Sequence, residues 1–77
     1  MLYRLCSFLI KSLVDKPESV KIDRIETETV DIFFVRVQKQ DRGIILGKQG
    51  RTVTALRSFL EGVASRLDRE VVVELID

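Results

Sequence analysis

The residues best suited to chemistry in this chain of 77 residues lie in one stretch, Ile45-Leu46-Gly47-Lys48-Gln49-Gly50-Arg51. Two glycines bracket two polar residues, apolar residues precede them, and a basic residue follows. Glycine reaches backbone conformations with positive φ and lets another backbone approach closely. The residues after Gly50 read as a helix. Amide N–H groups, the positive end of a helix dipole and the cations Lys48 and Arg51 therefore meet near one point. Such a point suits an anion, above all a phosphate. Taken alone, the same G-x-x-G is also a tight turn between two helices, because glycine is a common turn residue.

Composition removes other chemistries. The chain has no histidine and a single cysteine, Cys6. The commonest general base and metal ligand is missing, an internal disulfide is impossible, and a structural zinc site lacks its donors. Cys6 reads as a small core hydrophobe. At 45% hydrophobic and 32% charged residues the chain is globular rather than disordered. Its length allows one domain, residues 1–77, held by packing alone as in a cytoplasmic protein. The apolar run near the N-terminus is broken by Arg4, Ser7 and Lys11 and falls short of the ~20 residues of a membrane span.

The net charge is only +1, but its distribution is uneven. Six acids face three bases between Asp15 and Asp31, whereas six bases (Arg36, Lys39, Arg42, Lys48, Arg51, Arg57) face one acid, Asp41, between Arg36 and Arg57. The glycine loop lies inside the basic stretch. A local positive field on a nearly neutral protein fits a confined polyanion site or a solvated basic face.

The elements that position the loop can be read in order. Leu2, Leu5, Cys6, Leu9, Ile10, Leu13 and Val14 recur at helical spacing, with Tyr3 and Phe8 flanking the stripe, and Pro17 stops this helix. Residues 19–27 read as a strand in which Asp23-Arg24 breaks the alternation, as a bulge or strand end would. Thr27-Glu28-Thr29 suits a hairpin turn without the usual glycine or asparagine. Residues 30–38 form the strongest strand and are apolar on both faces. If Phe33, Val35 and Val37 face the helices, then Val30, Ile32 and Phe34 form an apolar patch on the open side, to be covered by the first helix or the edges of the domain, or met by a partner. Asp41 reads as the N-cap of a short helix, Arg42 to Leu46. A long helix begins at Gly50 or Arg51 and runs to about Leu67. Its apolar arc is wider than one core contact needs, so it is either central to the core or pairs with another protein near Phe59, Val63 and Ala64. Gly62 within it weakens the helix or admits a second backbone. Residues 69–76 are the last strand. The order predicts an α+β fold, α-β-β-α-α-β, with a three-stranded sheet covered on one face by helices.

This order and the run Ile45-Leu46-Gly47-x-x-Gly50-x-x-Val53-x-x-Leu56 resemble the KH domain of RNA-binding proteins, in its type II topology. Loop, length and the closing run Val71 to Asp77 make the chain similar to the small, single-KH bacterial RNA-binding proteins, the KH-domain protein A family. The resemblance implies a clamp on single-stranded RNA of about four nucleotides. Gly47 and Gly50 would let the RNA backbone approach, Lys48 and Arg51 would neutralise phosphates, and Gln49 would offer a neutral hydrogen bond. Ile45, Leu46 and Val53 would floor a base groove, and Arg42 or Arg57 would rim it. Ile44 occupies a position where these proteins often carry a charge, which makes the groove entrance more apolar. Low affinity and loose sequence preference are expected of one domain. A homodimer, or a heterodimer with a larger KH-containing protein, would supply avidity for a role as an RNA chaperone or post-transcriptional regulator. The alternative is a protein–protein interaction module in which RNA binding is secondary. No cofactor, membrane or small-molecule substrate is implied, and no enzyme: the Lys-Ser/Thr pair of a nucleotide-binding P-loop is absent.

Overall fold

The computed structural model describes residues 1–76; Asp77, the last residue of the expected domain and of its closing run, lies outside the described residues. The elements follow the expected order: α1 (Leu2–Leu13), β1 (Lys21–Glu26), β2 (Val30–Arg36), α2 (Arg42–Leu46), α3 (Arg51–Arg66) and β3 (Glu70–Leu75). Single 3-10 turns occupy Pro17–Ser19, Lys39–Asp41 and Lys48–Gly50. The sheet has β2 at its centre, antiparallel to β1 and parallel to β3. This mixed three-stranded sheet with helices on one face is the α+β arrangement of a type II KH domain.

Alternation along β2 decides which face is which. Asp31, Phe33 and Val35 are buried, while Val30, Ile32 and Phe34 are half-buried on the other side. Val71 and Val73 pair with Asp31 and Phe33 and share their face. Against that face α1 delivers Leu2, Cys6 and Ile10, α2 delivers Ile45, and α3 delivers Val53, Leu56, Leu60 and Ala64. The open side carries a row formed by Ile25, Ile32 and Val72 across all three strands. Its outer members are 51% and 40% exposed, so the first helix does not cover it.

Several local expectations need correction. The first helix ends at Leu13, with Val14 already extended. The reason is Asp41, whose carboxylate accepts the backbone N–H groups of Asp15 (3.3 Å) and Lys16 (3.0 Å) and so draws the chain out of the helix before Pro17. Asp41 therefore makes no cap bond to α2; it is buried and ties α1's exit to α2's entry. Phe8 does not widen the stripe, being 66% exposed, whereas Tyr3 packs against Phe33. No bulge interrupts β1, which pairs one-to-one with β2 from Lys21 to Glu26. The broken alternation reflects Arg24 instead: it faces the helices from an edge strand and lies 5.2 Å over the Tyr3 ring.

Two turns form without glycine. Thr27 Oγ1 accepts N–H groups from Thr29 and Val30, a side-chain substitute for a backbone turn. At the end of α3, Asp68 N–H donates to the Ser65 carbonyl and Arg69 N–H to that of Ala64, with Asp68 at φ +56°. That is a Schellman closure in which aspartate takes the left-handed position glycine usually holds. Arg69 then reaches back to the β1–β2 turn, donating to the carbonyls of Thr27 (2.6 Å) and Glu28 (2.8 Å) and pairing with buried Asp31 at 3.1 Å. Gly62 is solvent-exposed, and a Cβ there would meet nothing among the described residues, so no other part of the described chain approaches it.

Candidate nucleic-acid interface

The loop is a sharp corner made by three residues with positive φ in a row of four. Gly47 closes α2, its N–H donating to the Gly43 carbonyl at 2.9 Å, and adopts φ 69°, ψ 178°. That region is essentially reserved for glycine. Gln49 (φ 56°, ψ 29°) and Gly50 (φ 73°, ψ 14°) are left-handed and turn the chain into α3. Gly50 N–H donates to the Gly47 carbonyl at 3.3 Å and closes the turn.

The corner brings α3's N-terminus to the surface beside the loop. No side chain caps it; the Arg51 N–H is taken by the Lys48 carbonyl, which leaves Thr52 and Val53 as the first-turn N–H groups that helix geometry orphans. Lys48, Gln49 and Arg51 are exposed there. Among the described residues neither Lys48 nor Arg51 has a hydrogen-bond or ion-pair partner. Two uncommitted cations thus lie beside the N-terminus and positive dipole end of α3, a combination that suits a phosphate.

The other expected site residues divide into three groups. Ile45 and Val53 are core, 1% and 5% exposed, and support the loop from beneath rather than offering it a surface. Leu46 is 41% exposed beside Gly47 and is the apolar surface of the set. Arg42 and Arg57 are half-buried and already bonded: Arg42 Nη1 donates to the Ile76 carbonyl at 2.8 Å, and Arg57 Nε to the Val73 carbonyl at 3.0 Å. Both cations fasten the β3 side of the domain to the two helices around the loop. Ile44, expected at the groove entrance, lies about 200° around α2 from Arg42 and about 200° from Leu46 at 3.6 residues per turn. Its exposed side chain therefore lies on the face of α2 opposite Arg42 and Leu46.

Sequence reading missed Thr52. A Cβ on Gly47 would fall 2.7 Å from Thr52 Cβ and 2.8 Å from Thr52 N, so α3's first turn packs directly on the loop's first glycine. The spacing between the two residues, read with a glycine at the corner, was the available signal. It also missed the acids beside Arg57. A groove of about 220 Å³ between α3 and β3 is lined by Arg57, Glu61, Val71, Val72, Val73 and Glu74. On α3's other flank a largely apolar groove of about 520 Å³ runs along α1, lined by Leu9, Leu13, Ala55, Leu56 and Phe59 among others. Phe59 is 53% exposed, so part of the wide apolar arc of α3 is surface rather than core. Among the described residues no cluster of His, Cys, Asp or Glu could hold a metal ion. No helix among the described residues is long and apolar enough to cross a membrane.

Comparison with known proteins identifies the family. The family model described as KhpA/KhpB, KH domain, matches residues 4–75. A protein of Borreliella burgdorferi named RNA-binding protein KhpA is 41% identical over 73 residues, covering 95% of this chain and 89% of the relative. Proteins of the same name from Chlamydia pneumoniae (41% over 71 residues, 92% and 91% covered) and Clostridium perfringens (39% over 72 residues, 94% and 96% covered) are similar along nearly their whole lengths.

Proposed function

The chain belongs to the KhpA/KhpB KH-domain family, and from that membership we propose that it is a non-catalytic protein that clamps single-stranded RNA at the Gly47–Gly50 loop. The observation that carries the reading is the convergence at this loop of Lys48, Arg51 and the uncapped amides of α3. The RNA backbone crosses the loop beside Gly50, whose Cβ position is open, while Gly47 admits the close packing of Thr52 that shapes the corner. Lys48 and Arg51 neutralise phosphates, Gln49 adds a neutral hydrogen bond, and Leu46 receives a base over the Ile45–Val53 floor. Arg42 and Arg57 shape the rim from their anchored positions. Names of the relatives, RNA-binding protein KhpA, support the ligand class.

Residues 1–77 act as one domain in the cytoplasm. Two cations give few phosphate contacts, so a single copy binds weakly, and a second KH domain supplies avidity. The second domain comes from another copy of this chain or from a larger KH-containing protein, docked on the apolar α1–α3 groove around Phe59. In that form the protein serves as an RNA chaperone or post-transcriptional regulator.

The test pairs binding with folding. Lys48→Asp with Gln49→Asp abolishes binding of a labelled oligonucleotide by fluorescence anisotropy while the far-UV spectrum and melting temperature stay close to wild type. Wild-type affinity falls with salt at a logarithmic slope of about 0.7 per neutralised phosphate on a single strand. A folded double mutant with unchanged affinity refutes the clamp. Light scattering on wild type and Phe59→Ser tests the pairing surface, and equal masses for the two refute it.

A further inference from the structure

We propose that the free edge of β1 joins the same edge of a second copy of this chain, antiparallel and centred on Ile25, into one continuous sheet. The inference stands apart from both the RNA reading and the α1–α3 groove. β1 is an outer strand of the sheet, on the side away from β3. All its residues are exposed except Ile22, which is half-buried. Thr27 N–H donates to the Val30 carbonyl, so by antiparallel alternation the odd-numbered residues of β1 commit their backbone groups to β2. The N–H and C=O groups of Ile22, Arg24 and Glu26 therefore turn to the open edge, a template on which another strand can pair. Arg24 and Glu26 lie on the helix side of the sheet, opposite Phe33 and Asp31. Both are nonetheless exposed, so the helix layer stops short of this edge.

The strand's own sequence, Lys21-Ile22-Asp23-Arg24-Ile25-Glu26, selects the partner and the register. When two copies pair about a two-fold axis, facing residues share a side of the sheet, so the axis passes between one residue and its own copy. Centred on Ile25, the pairing sets Arg24 opposite Glu26 of the second copy and Glu26 opposite its Arg24. Asp23 then faces Thr27, and Ile25 faces itself. Registers centred on Asp23, Arg24 or Glu26 place like charges directly opposite, which is destabilising. One centred on Ile22 engages only Lys21 to Asp23 of the strand. In the Ile25 register the edge-facing residues Arg24 and Glu26 also exchange their backbone bonds, so hydrogen bonds and ion pairs fall on the same positions. Neither side chain has an ion pair among the described residues, so pairing breaks no existing bridge. The Tyr3 ring, 5.2 Å from the Arg24 guanidinium, steadies that cation before a partner arrives.

The joined sheet also covers surface that the single chain leaves open. Ile25 is 51% exposed at the end of the row it forms with Ile32 and Val72. In the pair it packs against Ile25 of the second copy, and the row runs on through both sheets. α3 leads from the loop back to the end of the sheet where Glu70 bonds to Thr29. Antiparallel joining therefore sets the two glycine loops toward opposite ends of one face. The contact is small, so the association is weak and transient.

The experiment uses the full chain carrying Phe59→Ser, which silences the helix groove, and reads mass by light scattering from micromolar to millimolar protein. Mass rises with concentration toward that of a dimer. Adding Arg24→Glu or Glu26→Arg weakens association roughly tenfold or more, since either change turns both cross-strand pairs into like charges. Mixing the two variants restores association, because every pair across the mixed edge is again opposite in sign. Both positions are exposed, and unchanged far-UV spectra verify the fold of each variant. Oxidation with diamide reads the register. Ile25→Cys cross-links to itself, the facing Cα atoms of such a pair lying about 4.5 Å apart, whereas Asp23→Cys does not. Cys6 is buried and does not compete. A protein that stays monomeric at millimolar concentration overturns the proposal. So do single variants that associate as readily as their parent, or a mixture no more associated than its components. Cross-linking through Asp23→Cys in place of Ile25→Cys overturns the register.

Discussion

Replacing Gly47 with alanine tests whether the loop's geometry, and not merely its charge, is built into the fold. At φ 69°, ψ 178° an alanine carries backbone strain of about 1–3 kcal/mol. Its Cβ would also meet Thr52 at three atoms, including the backbone nitrogen at 2.8 Å. That nitrogen belongs to α3's first turn, so relief requires moving the helix start, and overpacking of this kind adds about 1–3 kcal/mol. A combined loss of roughly 3 kcal/mol is a large part of the ~4–12 kcal/mol expected of a domain this size. It lowers the melting temperature by roughly 12–24 °C at about 4–8 °C per kcal/mol. Gly50 is the internal control. Its φ of 73° is also positive, but a Cβ there meets nothing, so Gly50→Ala costs only about 1 kcal/mol. Gln49→Gly removes a left-handed side chain and adds chain entropy, and is close to neutral. Urea titrations followed by far-UV circular dichroism rank the three. If Gly47→Ala is within about 0.5 kcal/mol of Gly50→Ala, a difference at the noise of surface substitutions, the steric account of the loop is refuted.

Two further outcomes are expected. Arg69→Ala leaves buried Asp31 without its partner and frees two turn carbonyls; it costs about 3 kcal/mol, and hydrogen exchange accelerates first at residues 27–31. Burial pushes the Cys6 thiol up from 9.0 to about 11, so the folded state keeps a proton that the unfolded chain releases. The stability this contributes is whole below pH 9 and declines between pH 9 and 11. The stability difference between wild type and Cys6→Val shifts across that window, and native Cys6 stays unreactive to thiol reagents at pH 8. A pH-independent difference refutes the burial argument.

Much of this fold was legible because burial writes a period into the chain. The stripe from Leu2 to Ile10 and the alternation through Phe33 and Val35 survive as core residues, and the Arg42–Leu46 helix has the expected limits. What escaped were side chains whose partners are remote in sequence. Asp41 looked like a cap because its local position suits one, yet its carboxylate serves residues 25 and 26 positions upstream. Arg24 looked like a break in a strand because Tyr3 lies on another element. Arg42 and Arg57 counted equally with Lys48 and Arg51 in the charge tally, and only packing separates anchored cations from uncommitted ones. Ile45 and Leu46 are adjacent apolar residues, but helix geometry sends one into the core and leaves the other at the surface.

The parallel pairing of β2 with β3 also sets when the loop comes into being. Val30 pairs with Glu70 and Val35 with Leu75, so every partner in this ladder lies forty residues downstream. Both helices and the loop lie within the segment that the pairing closes. Such non-local pairing is slow to form, since chain closure precedes any gain from contact. On the ribosome, α1, β1 and β2 can associate early, but the loop gains its support only after β3 has been made and docked. On the proposed reading, a nascent chain ending short of β3 would not bind RNA. A ligand held at the loop in turn favours the docked strand by mass action, which makes occupancy of the loop a late-acting brace on the last strand to join the sheet.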